Sequence, residues 1–511
     1  MRRWGILISR LPASGRSYLY PVHRSGYERR FGTSQCYQGQ LSILVRSNPC
    51  LSLENLKQAA LIEIEHYAEQ FKHHRNLGSS HGYTNVLFDQ MTPPEKSDAV
   101  FIAVSQEFTT WLEDDNFMSR VLHSLFKSSH SWGSPPPKVV DVVTSVVDGV
   151  SLVSAGITIL HGRAHDILPN IGSDTHMRDL GHTAKFYEKP AFLSFRMKSA
   201  TETPRQHSSA LTVTVPLANT IFQNGKASTL LASRWLENKD GFYIMEEPGP
   251  WLVSEQIIIP ETTRNEKGSM TSFAPLEAVT PPRKIVSGLG NIIRQVNIDE
   301  MVTPASRELE GKVTMLLAGS LNPEPIMIWA AIAPFRMDFD ASEDFRRSIP
   351  KHLANIQPIL ARGRFAQVLS GGGGWGSKQG LLSLDAEMTC SIGKGQSVSD
   401  EELDKFVHAF TTFHETGKGS GLVTPGEYIQ FFTSFPSDWM PSGSGTLLGV
   451  APPTSAESLS KGEMPCMSLH VGCLAIFSSQ GIYLSELRLP SRIESKLNIP
   501  GSFIQNNFDP R

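Results

Sequence analysis

The apolar positions of this chain recur at two spacings, and the order of elements follows from them. Between residues 53 and 76, Leu53, Leu56, Ala60, Leu61, Ile64, Ala68 and Phe71 return every three or four positions and line one face of a helix. Ser52 stands at the N-cap place, Lys72, His73, His74 and Arg75 suit the negative end, and Gly78 stops the run. Ala99–Val104 is apolar throughout, as a buried strand is. A helix over about 115–127 follows, then the stop Pro135-Pro136-Pro137, then the valine-rich strand Val139–Val147. Strand, helix and strand in so short a stretch predict a parallel pair with a right-handed crossover.

Further strands are expected at Ile157–Leu160, at the alternating run Leu211–Val215 and at Gln256–Ile259, which ends at Pro260. Polar stretches over 169–190, 198–210, 261–283 and 441–463 read as surface loops or linkers. The second half opens with a similar order: a strand at Pro325–Ala331, a helical stretch around 342–361 and a strand at Phe365–Ser370. The fold class expected is α/β of a mixed α+β kind, with two βαβ-containing lobes and mixed sheets. The lobes are placed at 50–300 and 301–511, the second carrying a glycine-rich loop and a helical hairpin.

Composition narrows the function classes. With 511 residues of which 40% are hydrophobic, the chain can bury sizeable cores, so wholesale disorder is excluded. Five cysteines are too few for a disulfide-stapled scaffold, and a formal charge of -3 excludes a globally basic nucleic-acid binder. The longest apolar stretch, Val139–Leu160, holds Asp141 and Asp148. A carboxylate at the bilayer centre costs about 2.5–3.5 kcal/mol or more, so strands are the cheaper reading and no transmembrane segment is expected.

Charge is distributed unevenly. The first 46 residues carry eight arginines, no lysine and one acid, Glu28, with Trp4, Leu7, Ile8 and Leu11 on one helical stripe. An Arg-rich, acid-poor amphipathic start describes a mitochondrial transit peptide, expected over 1–38, and the matrix is the expected location. Arg29-Arg30-Phe31-Gly32-Thr33-Ser34 resembles mitochondrial processing sites, with a cut near Phe31 and a second after Gln38. Removing residues 1–31 takes away seven arginines and one glutamate, which moves the net charge from -3 to about -9. An acidic body argues further against nucleic acid as a partner.

Candidate chemistry is sparse. Ser370 is followed by Gly371, Gly372, Gly373, Gly374, Trp375, Gly376, Ser377 and Lys378. Four consecutive glycines after a strand let the backbone approach a ligand and expose several N–H donors, while Trp375 can stack and Lys378 supplies charge. Gly371, Gly373 and Gly376 satisfy the dinucleotide spacing G-x-G-x-x-G, but Gly380–Asp385 reads as turn and strand, so the helix that would meet a pyrophosphate is missing. A tightly packed turn is the alternative reading. Gly288-Leu289-Gly290-Asn291 is a second glycine turn, weaker as a fingerprint because Ile293 takes the third glycine's place.

Three metal readings fail on geometry or ligand chemistry, so no metal is expected. His73 and His74 point apart on a helix. Cys466, His470 and Cys473 sit in a stretch that reads as strand, where Cys473 points away from the other two. Residues 399–432 echo an EF-hand, with Gly421, Val423 and Glu427 at the sixth, eighth and twelfth places. Its ligand places hold Thr416, Lys418 and Ser420, without a carboxylate. An ordinary helical hairpin is expected there: Leu403, Phe406, Val407, Phe410 and Phe413 form one stripe, and Thr424-Pro425-Gly426-Glu427 reads as a second helix start. His161, His165 and Asp166 concentrate titratable groups after a strand. H-E-x-x-H and C-x-x-C are absent from the sequence.

The layout resembles the FIST family of two-part ligand-sensing domains. The likeness is carried by the Ala99–Val104 strand and its helix, the Val139–Val147 strand, Leu217-Ala218-Asn219-Thr220 and the glycine-rich second half. It spans roughly residues 90–490 and rests on order of elements, so no functional residue is carried over; the overall style resembles fungal mitochondrial proteins. The resemblance implies binding of a small, amino-acid-like ligand without chemistry. A soluble mitochondrial ligand-binding or regulatory protein is the function expected, with the identity of ligand or cofactor open. One alternative is an enzyme that holds a nucleotide or phosphate-bearing substrate at Gly371–Lys378, with His161, His165 or Asp166 as acid or base. The other is a scaffold in mitochondrial gene expression that works through protein contacts.

Overall fold

A computed structural model describes residues 39–45, 52–76, 97–127, 136–151, 155–171, 191–197, 211–247, 251–259, 269–318, 326–337, 353–371, 380–385, 422–434, 445–452, 467–486 and 494–507. The segment 1–38, expected to be a targeting sequence, lies outside them, as do the stripe at 403–413 and Gly372–Gln379.

Three sheets share one core. The first has seven strands and contains β1 (Gln40–Val45), β2 (Ala99–Ser105), β3 (Val139–Val147) and β4 (Ala155–Gly162). Its order is 467–471, β1, β4, β2, β3, 230–237, 243–247. Neighbours are antiparallel except β2 and β3, which run parallel in register from Ala99 opposite Asp141 to Ser105 opposite Val147. This is the strand–helix–strand unit that the spacing predicts, with α2 (Asp115–Lys127) between its strands; α1 (Leu53–Asn76) precedes it. Ser52 Oγ accepts the Asn55 N–H at 3.2 Å, the expected cap. Leu56, Ala60, Leu61 and Ile64 of α1 join Phe117, Val121 and Leu122 of α2 over one sheet face, built from Leu41, Ile43, Val100, Ile102, Ile157 and Ile159. Phe101, Ala103, Val143 and Leu160 alternate onto the other face.

The second sheet closes on itself. Strands 283–289, 292–298, 382–384, 364–371, 328–333 and 428–434 pair antiparallel in that order, and Arg283 opposite Ile429 and Lys284 opposite Tyr428 complete the ring. Ile328, Ala330 and Ile332 face the barrel interior with Ile285, Val296 and Phe431, where Ala305 and Leu309 of helix 305–318 join them. Trp329, Ala331 and Ala333 point outward into the shared core. Strand 428–434 also pairs with 269–278, which leads through 503–507 and 445–450 to 473–478. The third sheet orders strands 494–497, 482–486, 211–216, 192–197 and 254–259, and it lays Leu193, Phe195, Val213 and Ile257 on the same core.

The fold is therefore mixed α+β and strand-rich, with mixed sheets and a barrel. Its second strand–helix–strand run is built differently from the first. Strands 328–333 and 364–371 lie side by side antiparallel, and the described helix between them is only Gln357–Arg362. Leu353–Asn355, expected in a helix, is a short strand against 273–275. An uninterrupted apolar run reports two covered faces, and a barrel wall against a core has two as surely as a parallel sheet does.

Other expectations are corrected as well. Ser269–Ala278 and Gly445–Val450, read as parts of polar loops, are strands. Their polar residues are buried with partners: Ser272 Oγ donates to Gln357 Oε1 at 2.5 Å, and Thr446 Oγ1 accepts from Gln40 Nε2 at 3.4 Å. Thr424–Glu427 does not start a helix; it is a turn with Gly426 at φ 99°, leading into the strand Tyr428–Ser434. Glu427 reaches back to the Thr424 N–H at 3.3 Å, but its carboxylate is taken by Arg364 at 2.6 Å. Among the described residues no helix is long and apolar enough to cross a membrane.

Candidate functional site

The glycine-rich segment connects two neighbouring barrel strands. Gly371 stands opposite Leu382 at the end of an antiparallel pairing that begins with Val368 opposite Leu384. Residues 372–381 thus join paired strand ends, and Gly372, Gly373, Gly374, Trp375, Gly376 and Lys378 lie outside the described residues. The turn and strand expected at Gly380–Asp385 are present, with Gly380 at φ 81° and a strand at Leu382–Leu384. No helix follows the run, so the dinucleotide geometry lacks its helix in the structure as in the sequence.

Both ends of the connection are fixed by packing. A Cβ on Gly371 would come within 2.3 Å of the Leu382 side chain, and one on Gly380 within 2.4 Å of Pro304. The Gly380 carbonyl accepts the Ser306 N–H at 3.1 Å, in the first turn of helix 305–318. That helix begins far back in the sequence, yet the barrel brings its N-terminus to the foot of the glycine connection. The second glycine turn, Gly288–Asn291, closes the hairpin of strands 283–289 and 292–298, with Gly290 at φ 61°.

His161 ends β4 on the face that carries α1. Its Nδ1 lies 3.3 Å from Ser97 Oγ and its Nε2 3.5 Å from Tyr67 Oη, so both ring nitrogens meet hydroxyls. Burial pushes the imidazole down to about 4, leaving it neutral at pH 7. His165 and Asp166 pair with each other at 3.2 Å and are exposed. His161 belongs to a different sheet from the strands that flank the glycine connection. His161 looks toward α1, whereas the barrel's outer face joins the core on the opposite side of the sheet. Among the described residues no three His, Cys, Asp or Glu side chains converge as a metal site would need. His470 lies on strand 467–471 with Ser468 Oγ 3.0 Å from its Nε2, its imidazole held down by burial. The single strand read there is broken at Gly472, φ 73°, and Cys473 begins a strand of the second sheet; Cys466 lies outside the described residues.

Two polar features escaped the sequence reading. The carboxyl ends of β2 and β3, where α/β sheets commonly bind ligands, are occupied by the protein's own groups. Asp148 Oδ2 accepts the Ser479 N–H at 2.7 Å and its Oγ–H at 2.8 Å, while Gln106 Nε2 lies 3.4 Å from Asp148 Oδ1. Gln106 also donates to the Asn219 carbonyl at 3.1 Å, and Gln480 to that of Leu217 at 3.3 Å. This knot ties four chain segments together, at Gln106, Asp148, Leu217–Asn219 and Ser479–Gln480. A carboxylate directly after a valine strand, and the Leu217–Thr220 motif, were its visible parts.

Glu255 is the second feature. It points from the edge strand 254–259 into the shared core, only 4% exposed, and accepts the N–H of Gln256 at 3.1 Å. Burial raises its carboxyl to about 7. No family model, no curated protein and no solved structure matches the chain.

Proposed function

We propose that this chain is a mitochondrial small-ligand-binding or regulatory protein, as the FIST-type resemblance implies, and that Gly371–Lys378 is its ligand contact. The observation that carries the reading is the setting of the glycine run. Ten residues join strand ends that a two-residue turn could close, and Gly380, at φ 81° against Pro304, has no room for a side chain. Backbone N–H groups of consecutive glycines suit an anionic or carbonyl-bearing ligand, with Lys378 for charge and Trp375 for a flat face. The mitochondrial address rests on the arginine-rich, acid-poor first 46 residues.

A thermal-shift screen of the chain from Gly32 onward, against nucleotides, coenzyme A species and amino acids, tests the reading. A probe at about 100 times its Kd stabilises the fold by roughly 2.7 kcal/mol, a readily measured shift. Gly373→Val and Lys378→Ala are expected to abolish it. A hit that survives both substitutions puts the site elsewhere. A folded chain that answers to no probe removes the ligand reading and favours the scaffold.

A further inference from the structure

Helix 305–318 carries an apolar stripe that is only half used. Ala305, Leu309, Val313, Leu316 and Leu317 follow helical spacing. Ala305 and Leu309 are buried in the barrel cluster, and Val313 packs partly against it. Beyond Val313 the same stripe runs into solvent: Leu316 is 42% and Leu317 37% exposed, with Met315 beside them at 71%. The helix starts against the barrel cluster and ends in a partly exposed apolar face.

We propose that this face is the docking surface for the chain's own segment 402–413. Residues 386–421 leave the barrel and return to it. At one end the Asp385 N–H is bonded to the Gln367 carbonyl at 2.8 Å; at the other the Leu422 carbonyl accepts from Arg364 Nε at 2.7 Å. Leu384 and Val423, beside those ends, lie in the same cluster as Ala305 and Leu309. Within the segment, Leu403, Phe406, Val407, Phe410 and Phe413 form a stripe of matching spacing that needs an apolar partner. The nearer chain, 319–325, offers one aliphatic side chain, Leu321.

The tether is long enough. Leu317 lies eight residues past Leu309, a rise of about 12 Å along the helix. Residues 414–421 can span about 27 Å when extended. Because the same helix holds Gly380 through Ser306, a segment docked on its far half braces the element on which the glycine connection stands. The proposal is independent of the ligand reading, and either can fail alone.

Photocrosslinking tests it in the full chain. A benzoylphenylalanine placed in turn at Met315 and at Leu316 should capture the tryptic peptide Phe406–Lys418 of the same molecule. Mixing light and heavy isotope-labelled chains identifies the donor. Capture between chains makes the occupant a second copy, and capture of any other peptide, or none, overturns the proposal. Urea midpoints give a second measure that tolerates weakened folding. Leu316→Glu with Leu317→Glu should lower the midpoint, Phe406→Glu with Phe410→Glu likewise, and all four together no further than the worse pair. Additive losses overturn the contact.

Discussion

At the scale of single residues, burial moves His161 and Glu255 in opposite directions. An exposed imidazole binds a proton near 6.5, but His161 stays neutral in the fold down to about 4. Unfolding therefore takes up a proton between these values. Stability drops by about 1.4 kcal/mol per unit as pH falls from 6.5 to 4. Glu255 has the opposite sign. Exposed, it ionises near 4.5, whereas in the fold it holds its proton to about 7. Unfolding then releases a proton, and stability drops at the same rate as pH rises from 4.5 to 7. Between 4.5 and 6.5 the two slopes cancel. Glu255→Gln should be about 3 kcal/mol more stable than the parent at pH 7.5, relative to their difference at pH 4.5. His161→Gln should gain a similar amount on the parent between pH 7 and pH 4. Urea unfolding at four pH values measures both differences, and Glu63 and His470, also shifted by burial, drop out because every chain contains them. A variant-to-parent difference that is flat with pH refutes the assignment.

At the scale of elements, the glycine connection depends on the pieces that hold its ends. Gly380 has a backbone at φ 81° that other residues adopt only with strain, and a Cβ on it would fall 2.4 Å from Pro304. Gly380→Ala should cost about 1–3 kcal/mol by denaturant unfolding, and it should weaken any ligand shift that depends on Gly373. What the sequence made legible divides along the same physical lines. Helices α1 and α2 announce themselves by spacing, because one covered face leaves a periodic trace, and the parallel pair β2–β3 follows from the order strand, helix, strand. The barrel does not. Strand 328–333 is apolar throughout, a pattern common to any doubly covered strand, and only tertiary pairing makes it antiparallel. The turn Asp299-Glu300 joins strands 292–298 and 301–304 with φ of 49° and 68° at its two residues. That geometry is usually signalled by Asn-Gly, so this hairpin leaves no cue. In the candidate site the glycine run itself was visible, and so was the strand after it. The helix that meets its foot was not, since residues 305 and 380 are brought together only by barrel closure. The Asp148 knot was hidden for the same reason, as Ser479 lies 331 positions away.

At the scale of the molecule, chain order and spatial order part company. The edge strand 467–471 completes the first sheet beside β1, and strands 482–486 and 494–497 complete the third beside 211–216. The barrel takes strands 283–289 and 292–298 from before residue 300 and four more from after it. One apolar cluster, from Phe101 and Leu193 to Trp329 and Ile504, unites all three sheets. A cut at residue 300 leaves the first part with unpaired edges at β1, at strand 211–216 and on both barrel strands. Open edges of that kind invite pairing between molecules. Neither 39–300 nor 301–511 should then fold alone, and each should expose apolar surface and aggregate. The intact chain should melt in one calorimetric transition whose van't Hoff and calorimetric enthalpies agree, because no sheet can be lost without baring the core of the others. Two resolved transitions, or a monomeric 39–300 fragment with native near-ultraviolet dichroism, would show instead that the shared core is weaker than its parts. Asp148→Ala offers a graded version of the same experiment: it removes the Asp148 bonds to Ser479 and Gln106, while the Gln106–Asn219 and Gln480–Leu217 bonds and every sheet stay in place. If the knot couples the sheets, the single transition should broaden in that variant before any strand is removed.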